Sequence, residues 1–200
     1  MAIASVATAA EEGFVSLFDG KTFAGWEGNM KVFRIEAGAI VGGSLKEPVA
    51  HNDFLCTKKE YGDFELRLNA KLVGPGDNAG IQFRSVRIPD HHEVIGYQCD
   101  MGSAGERKIW GALYDESRRR KMLAAGDPEK VQEICKENDW NAFVIRCEGK
   151  RIQIWLNGLQ TVDYTEEEDV AKTGILGLQI HGGMPAEASY KDIRIKDLTK

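Results

Sequence analysis

In Phe64-Glu65-Leu66-Arg67-Leu68-Asn69-Ala70-Lys71-Leu72 every even position is apolar and every odd position is polar. Only a strand sends alternate side chains to opposite faces, so this stretch is a β-strand with one face on a core. Shorter runs of the same kind predict strands at 31–35, 39–42, 53–57, 80–85, 96–101, 112–114, 142–147, 151–157, 175–181 and 189–195. Glu148-Gly149-Lys150 joins two of them as a tight hairpin, and Asn157-Gly158 is a turn signal. Short strands separated by turns predict an all-β sandwich of two antiparallel sheets rather than a parallel α/β sheet. One short helix is expected. Asp127 supplies an N-cap, Pro128 a first helical position and Glu129 an acidic first turn, running to Lys136.

Residues 13–200 read as one domain, within the size range of a large all-β unit. Residues 1–12 read as the remnant of a secretory signal or a disordered start, with small residues of the A-x-A kind before Glu11-Glu12 but no basic n-region, export being the expected reading. On the export reading the expected location is periplasmic or extracellular. No apolar stretch approaches the roughly 18 residues of a membrane span. The net charge of −5 argues against a nucleic-acid partner, whose phosphates need a basic surface. The basic cluster Arg118-Arg119-Arg120-Lys121 follows Asp115 and Glu116 and reads as a solvated charged face. Cys56, Cys99, Cys135 and Cys147 show no CxxC and no Cys/His metal spacing. Cys99 and Cys147 fall inside strands, where cysteine behaves as a small buried hydrophobe.

The strand faces opposite the apolar positions carry the candidate chemistry. Gln82 with Arg84, Gln98 with Asp100, and Gln179 with His181 each share a face, with residues i and i+2 about 7 Å apart. If these strands are neighbours, an acid, a cation, an imidazole and three amides line one surface. The plain alternative is an outer face that is merely polar. Among the four tryptophans, Trp110, beside Gly111 and near Tyr114, is the candidate for stacking on a sugar ring at the rim, and Trp140 reads as core. His91-His92 and His51 fall in loops. There is no GxSxG, no P-loop and no HExxH, and Gly74-Pro75-Gly76-Asp77-Asn78 reads as a turn.

Several motifs together resemble one known family. They are Leu17-Phe18-Asp19-Gly20-Lys21-Thr22 with Gly25-Trp26, Tyr61-Gly62-Asp63-Phe64-Glu65-Leu66, Asn78-Ala79-Gly80-Ile81 with Arg84, and Gly96-Tyr97 with Asp100. Gly111-Ala112-Leu113-Tyr114, Trp140-Asn141, Trp155-Leu156-Asn157-Gly158, Gly177-Leu178-Gln179-Ile180-His181 and Asp192-Ile193-Arg194-Ile195 follow in order. The chain is similar in these to the 3-keto-disaccharide hydrolase domain family, also called domain of unknown function 1080. That resemblance implies a concanavalin-like jelly roll, export, and hydrolase or lyase action on 3-keto-glycosides, in some members with a divalent metal. Many members carry Glu-Val-Gln after the Gly-Tyr pair, where this chain has Gln98-Cys99-Asp100, so a role of that glutamate passes here only to Asp100.

In a 3-keto-glycoside the ketone acidifies the C2 proton, so a base can remove it and the C1 substituent departs by elimination. Asp100 and His181 are the expected base and acid in either order, with Arg84 as enolate stabiliser. Gln82, Gln98, Gln179, Trp110 and Tyr114 are the expected sugar contacts. A divalent metal, if used, would sit on Asp100 and His181. Two other readings stay open: a two-carboxylate glycosidase, for which Glu93 is the nearest second acid, and a non-catalytic, lectin-like sugar-binding module.

Overall fold

A computed structural model of the chain describes residues 11–199, so the expected signal remnant falls almost wholly outside the described residues. Two antiparallel sheets face each other. The first runs in the order β14 (Leu159–Thr165), β13 (Arg151–Leu156), β12 (Asn141–Glu148), β6 (Phe64–Val73), β16 (Ala186–Asp197), β4 (Ala39–Ser44) and β3 (Phe33–Glu36). A two-residue strand, β1 (Val15–Ser16), also pairs with β16, matching Val15 to Ile195. The second sheet runs β11 (Lys121–Ala124), β10 (Leu113–Glu116), β8 (Val94–Ala104), β7 (Asn78–Arg87), β15 (Ile175–Ile180), β5 (Asp53–Thr57) and β2 (Trp26–Glu27). The short β9 (Arg107–Lys108) pairs with β8. This is the expected jelly-roll sandwich.

The alternation in β6 buries Phe64, Leu66, Leu68, Ala70 and Leu72 against the second sheet, which contributes Ile81, Phe83, Tyr97, Cys99 and Leu178 to the same core. Helix α1 (Pro128–Ile134) is the one described α-helix. The Asp127 side chain accepts hydrogen bonds from the backbone N–H groups of Glu129 and Lys130, as its N-cap position predicts. No described helix is long and apolar enough to cross a membrane. All four cysteines are free thiols, and Cys99 and Cys147 are buried in the core.

Three expectations are corrected here. Arg119 of the basic cluster is not a solvated charge. It bonds the fully buried Asp115 and, through Nη2 at 2.6 Å, the buried Glu166. Arg118 bonds both oxygens of Asp115 and lies 4.7 Å from the centroid of the Tyr97 ring. The acid that the run neutralises lies three residues before it, and burial makes that pairing obligatory. Trp110 is no rim residue either. It is buried in the core, with its ring stacked on Phe143 at 6.1 Å between centroids. Trp140, expected in the core, is half-buried with the Lys191 and Lys71 ammonium groups 4.3 and 5.0 Å from its ring centroid.

Candidate functional site

Core-facing Ile81, Tyr97, Cys99, Leu113 and Leu178 leave their sequence neighbours on the outer face of the second sheet. Strand register sorts these into rows. One row runs Phe54, Gln179, Gly80, Asp100. The next runs Cys56, Gly177, Gln82, Gln98, Tyr114, Met122. The expected gathering of Gln82, Gln98, Asp100 and Gln179 on one surface is therefore present, and Tyr114 joins it.

Arg84 does not. The pairing of β7 with β8 slips between Phe83 and Val86, and Arg84 adopts a left-handed backbone, φ 46°. A bulge of this kind re-aims the side chain that the period-two count assigns to the outer face. Arg84 Nε donates to the Gly62 carbonyl at 3.0 Å, Nη1 to the Gly149 carbonyl at 2.8 Å and Nη2 to Asp63 Oδ1 at 2.8 Å. It ties the entry to β6 to the β12–β13 hairpin and has no place in the groove.

The outer-face amides form a directed chain. Ser85 Oγ donates to Gln82 Oε1 at 2.8 Å, Gln82 Nε2 to Gln98 Oε1 at 2.8 Å, and Gln98 Nε2 to Asp100 Oδ1 at 2.7 Å. Gly80 permits this arrangement, because a Cβ there would lie 2.5 Å from Gln98 Cδ. Beside the chain, Gln179 is fully buried and neither of its amide atoms has a partner; Asn78 Oδ1 is also buried and unpartnered. Leaving such groups unmade costs about 1–3 kcal/mol each, so this face carries hydrogen-bonding capacity that the described side chains do not use.

Residues 88–93 arch over this face. Val94 packs on Phe54, Cys56 and Ile175. The His92 ring stacks on His51 at 4.0 Å and on His91 at 4.4 Å. Glu93 then ties the two flanks. Its Oε1 accepts from Asn52 Nδ2 at 3.3 Å, just before β5, and its Oε2 from Ser117 Oγ at 2.8 Å, just after β10.

His181 follows the last residue of β15. Its Nδ1 lies 2.6 Å from the Gly182 carbonyl, which fixes Nδ1 as the protonated nitrogen of the neutral ring and leaves Nε2 as the acceptor. With Asn78 and Met184 it lines a cavity at the end of the face. Register puts its Cα about 12 Å from that of Asp100, two strands across and two residues along.

Two carboxyl groups here are tuned. Burial lifts Asp100 to about 7, opposed by the Gln98 hydrogen bond and reinforced by Glu116. Burial also lifts Glu116 to about 7, with Glu93 adding to the shift. Tyr114 is raised by burial, then by Glu116 and Asp100. Glu116 and Asn78 were not anticipated as site residues. Extending the 112–114 strand by two residues would have put Glu116 on the Tyr114 face. Glu93 acts through an arch that periodicity cannot foresee.

A side-chain metal site does not fit. Asp100 and His181 are held apart by the register, Asp100 Oδ1 already accepts from Gln98, and among the described residues no three His, Cys, Asp or Glu side chains converge.

The sequence profile of the 3-keto-alpha-glucoside-1,2-lyase-like domain matches residues 13–196. The chain belongs to that family. Members of this family are carbohydrate-active, and so is this domain. Among solved structures, a candidate glycosyl hydrolase from Parabacteroides distasonis is similar at 20% identity, covering 94% of this chain and 95% of its own, with a TM-score of 0.67. A second from the same organism gives 19% identity, 92% and 99% coverage, and a TM-score of 0.69. The carbohydrate-binding module CBM66 from Bacillus subtilis shares the fold at 15% identity, with 86% and 96% coverage and a TM-score of 0.66. No curated protein matches the chain in sequence.

Proposed function

We propose that this keto-glucoside-lyase-like domain cleaves 3-keto-glycosides by taking the C2 proton and expelling the C1 substituent, after which water adds to the unsaturated sugar. The observation that carries this reading is Asp100, a buried carboxyl poised near neutrality and aligned by Gln98, in one register row with the unpartnered Gln179. A base with a pKa near the working pH is the efficient one for abstracting a carbon acid. Asp100 takes the C2 proton. The Gln179 amide N–H meets the 3-keto oxygen as the enolate forms, in the role that Arg84 leaves open. Gln82 bonds Gln98, and Gln98 bonds Asp100, which makes the two amides positioning residues for the base. Tyr114, opposite Met122, offers a platform for a sugar ring. In the second half-reaction Nε2 of His181 accepts a proton from the water that adds at C1, and Asp100 returns its proton to C2.

Incubation with a 3-keto-glycoside and with its unoxidised parent, in deuterated water, tests the proposal. Only the ketone should be consumed, with deuterium entering C2. Equal cleavage of the parent would establish a two-carboxylate glycosidase instead. Binding of either sugar without turnover would establish a sugar-binding module.

A further inference from the structure

We infer that the tip of the β7–β8 hairpin is a hinged flap that must lift to admit a sugar to the Gln179–Asp100 row; the inference rests on the reading of that row given above. Gln82 and Gln179 are wholly shielded from solvent, and Gln98 and Asp100 are each 3% exposed. The face proposed to hold the sugar is therefore closed in this structure. Register sets Gln179 between Phe54 and Gly80, and Val94 packs on Phe54 together with Cys56 and Ile175. The hairpin tip thus roofs the β5 end of the row.

The hairpin carries its own hinge. β7 and β8 pair from Asn78–Gly102 as far as Phe83–Tyr97, lose register, and resume with only two pairs, Val86–Ile95 and Arg87–Val94. The break holds the left-handed Arg84 on one leg and Gly96, at φ 152°, on the other. A Cβ on Gly96 would stand 2.6 Å from Ser85 Cα, so the two legs meet where no side chain fits. A few residues at the end of an element are what absorbs the backbone rotation of a closing loop. Beyond the hinge, polar contacts near the surface hold the tip down. Glu93 reaches Asn52 on one flank and Ser117 on the other, His92 stacks on His51, and Arg87 Nε donates to Glu27 Oε1 at 2.9 Å. A segment held mainly by such contacts opens at far lower cost than the core.

Cys56 is a reporter already present beneath the flap. Its thiol is fully buried in the cluster that Val94 closes. Burial pushes it up to about 12, so it forms thiolate only when uncovered. Cys99 and Cys147 lie in the core between the sheets, where unfolding of the sandwich is needed to expose them.

Alkylation by iodoacetamide in native buffer, followed for each cysteine by peptide mass spectrometry, tests the flap without any turnover. Cys56 should react at least about tenfold faster than Cys99 and Cys147. Glu93→Ala removes both crossing hydrogen bonds and His92→Ala removes the stack. Each should speed Cys56 by about tenfold and leave Cys99 and Cys147 unchanged. Methyl 3-keto-glucoside, added to protein carrying Asp100→Asn so that it is consumed only slowly, should slow Cys56 by about threefold or more as the flap closes on it. Cys56 reacting in step with Cys99 and Cys147 in wild type and both variants would overturn the flap, since its uncovering would then be global unfolding. A Cys56 rate untouched by the sugar would overturn the gating of the Gln179–Asp100 row. Protection by the sugar, in a protein whose wild type consumes no ketone, would uphold the flap and remove the elimination chemistry instead.

Discussion

Gln98 Nε2 donates to Asp100 Oδ1 at 2.7 Å, from two positions earlier on the same strand. Because i and i+2 share a face, one strand supplies both the carboxylate and the donor that aims it. The donor also holds the Asp100 pKa below the value that burial alone would give. Asp100→Asn should therefore lower turnover of a 3-keto-glycoside by about 10²–10⁴ with the fold retained. Gln98→Ala should release Asp100 to a higher pKa, shifting the acid limb of kcat/KM upward and lowering kcat. Steady-state rates against pH on both variants, with circular dichroism for the fold, check this. An unmoved acid limb in Gln98→Ala would remove the positioning role.

The same tuning destabilises the free protein. The folded-state pKa of Asp100 stands above its unfolded value, so the folded state binds the extra proton. Stability from this group is full below about pH 4 and is lost as the pH rises through about 7. Asp100→Asn should thus be more stable than wild type by up to a few kcal/mol at pH 8, with the difference closing towards pH 4. Urea unfolding at both pH values measures it. A variant less stable than wild type at pH 8 would mean that the carboxylate is better solvated than its burial indicates.

Arg84 serves the scaffold. Arg84→Gly relieves a left-handed backbone but leaves the Gly62 and Gly149 carbonyls without their Arg84 donor and Asp63 with only the Gly149 N–H, so a net loss of about 2–4 kcal/mol is expected. At a temperature where the variant is still folded, its KM for a 3-keto-glycoside should match wild type. A selective fall in kcat with unchanged melting temperature would return Arg84 to the chemistry.

Trp110 offers the complementary contrast. Trp110→Ala empties a core position against Phe143 and should cost about 3–5 kcal/mol. Tyr114→Ala, on the outer face, should leave the melting temperature within a few degrees and weaken sugar binding. Calorimetric unfolding and ligand titration of the two variants separate the roles, and a reversal of the pattern would exchange them.

The period-two signal made the sandwich legible, because alternation is a local property and β6 displays it over nine residues, 64–72. It brought Gln82, Gln98, Asp100 and Gln179 to one face for the same reason. It failed at Arg84, where a bulge breaks the parity it counts. It passed over β14, whose Leu159-Gln160-Thr161-Val162-Asp163-Tyr164-Thr165 carries only a short apolar pattern and takes its register from β13. Trp110 lies beside Gly111 in a stretch with no period at all, so nothing local marked it as core. The partnership of Glu93 with Asn52 and Ser117 spans 41 and 24 positions of sequence, which no local pattern encodes.

The pairing of β1 with β16 sets Val15 opposite Ile195, in the sheet that does not carry the groove. The beginning and end of the described fold are therefore neighbours, and a short linker could join them without crossing the sandwich. Gly158, in the turn between β13 and β14, has open space where a Cβ would stand. A chain reopened there keeps every outer-face row of the second sheet intact. Connectivity and chemistry are separable in this architecture, which suits the domain to circular permutation and to insertion within a longer polypeptide.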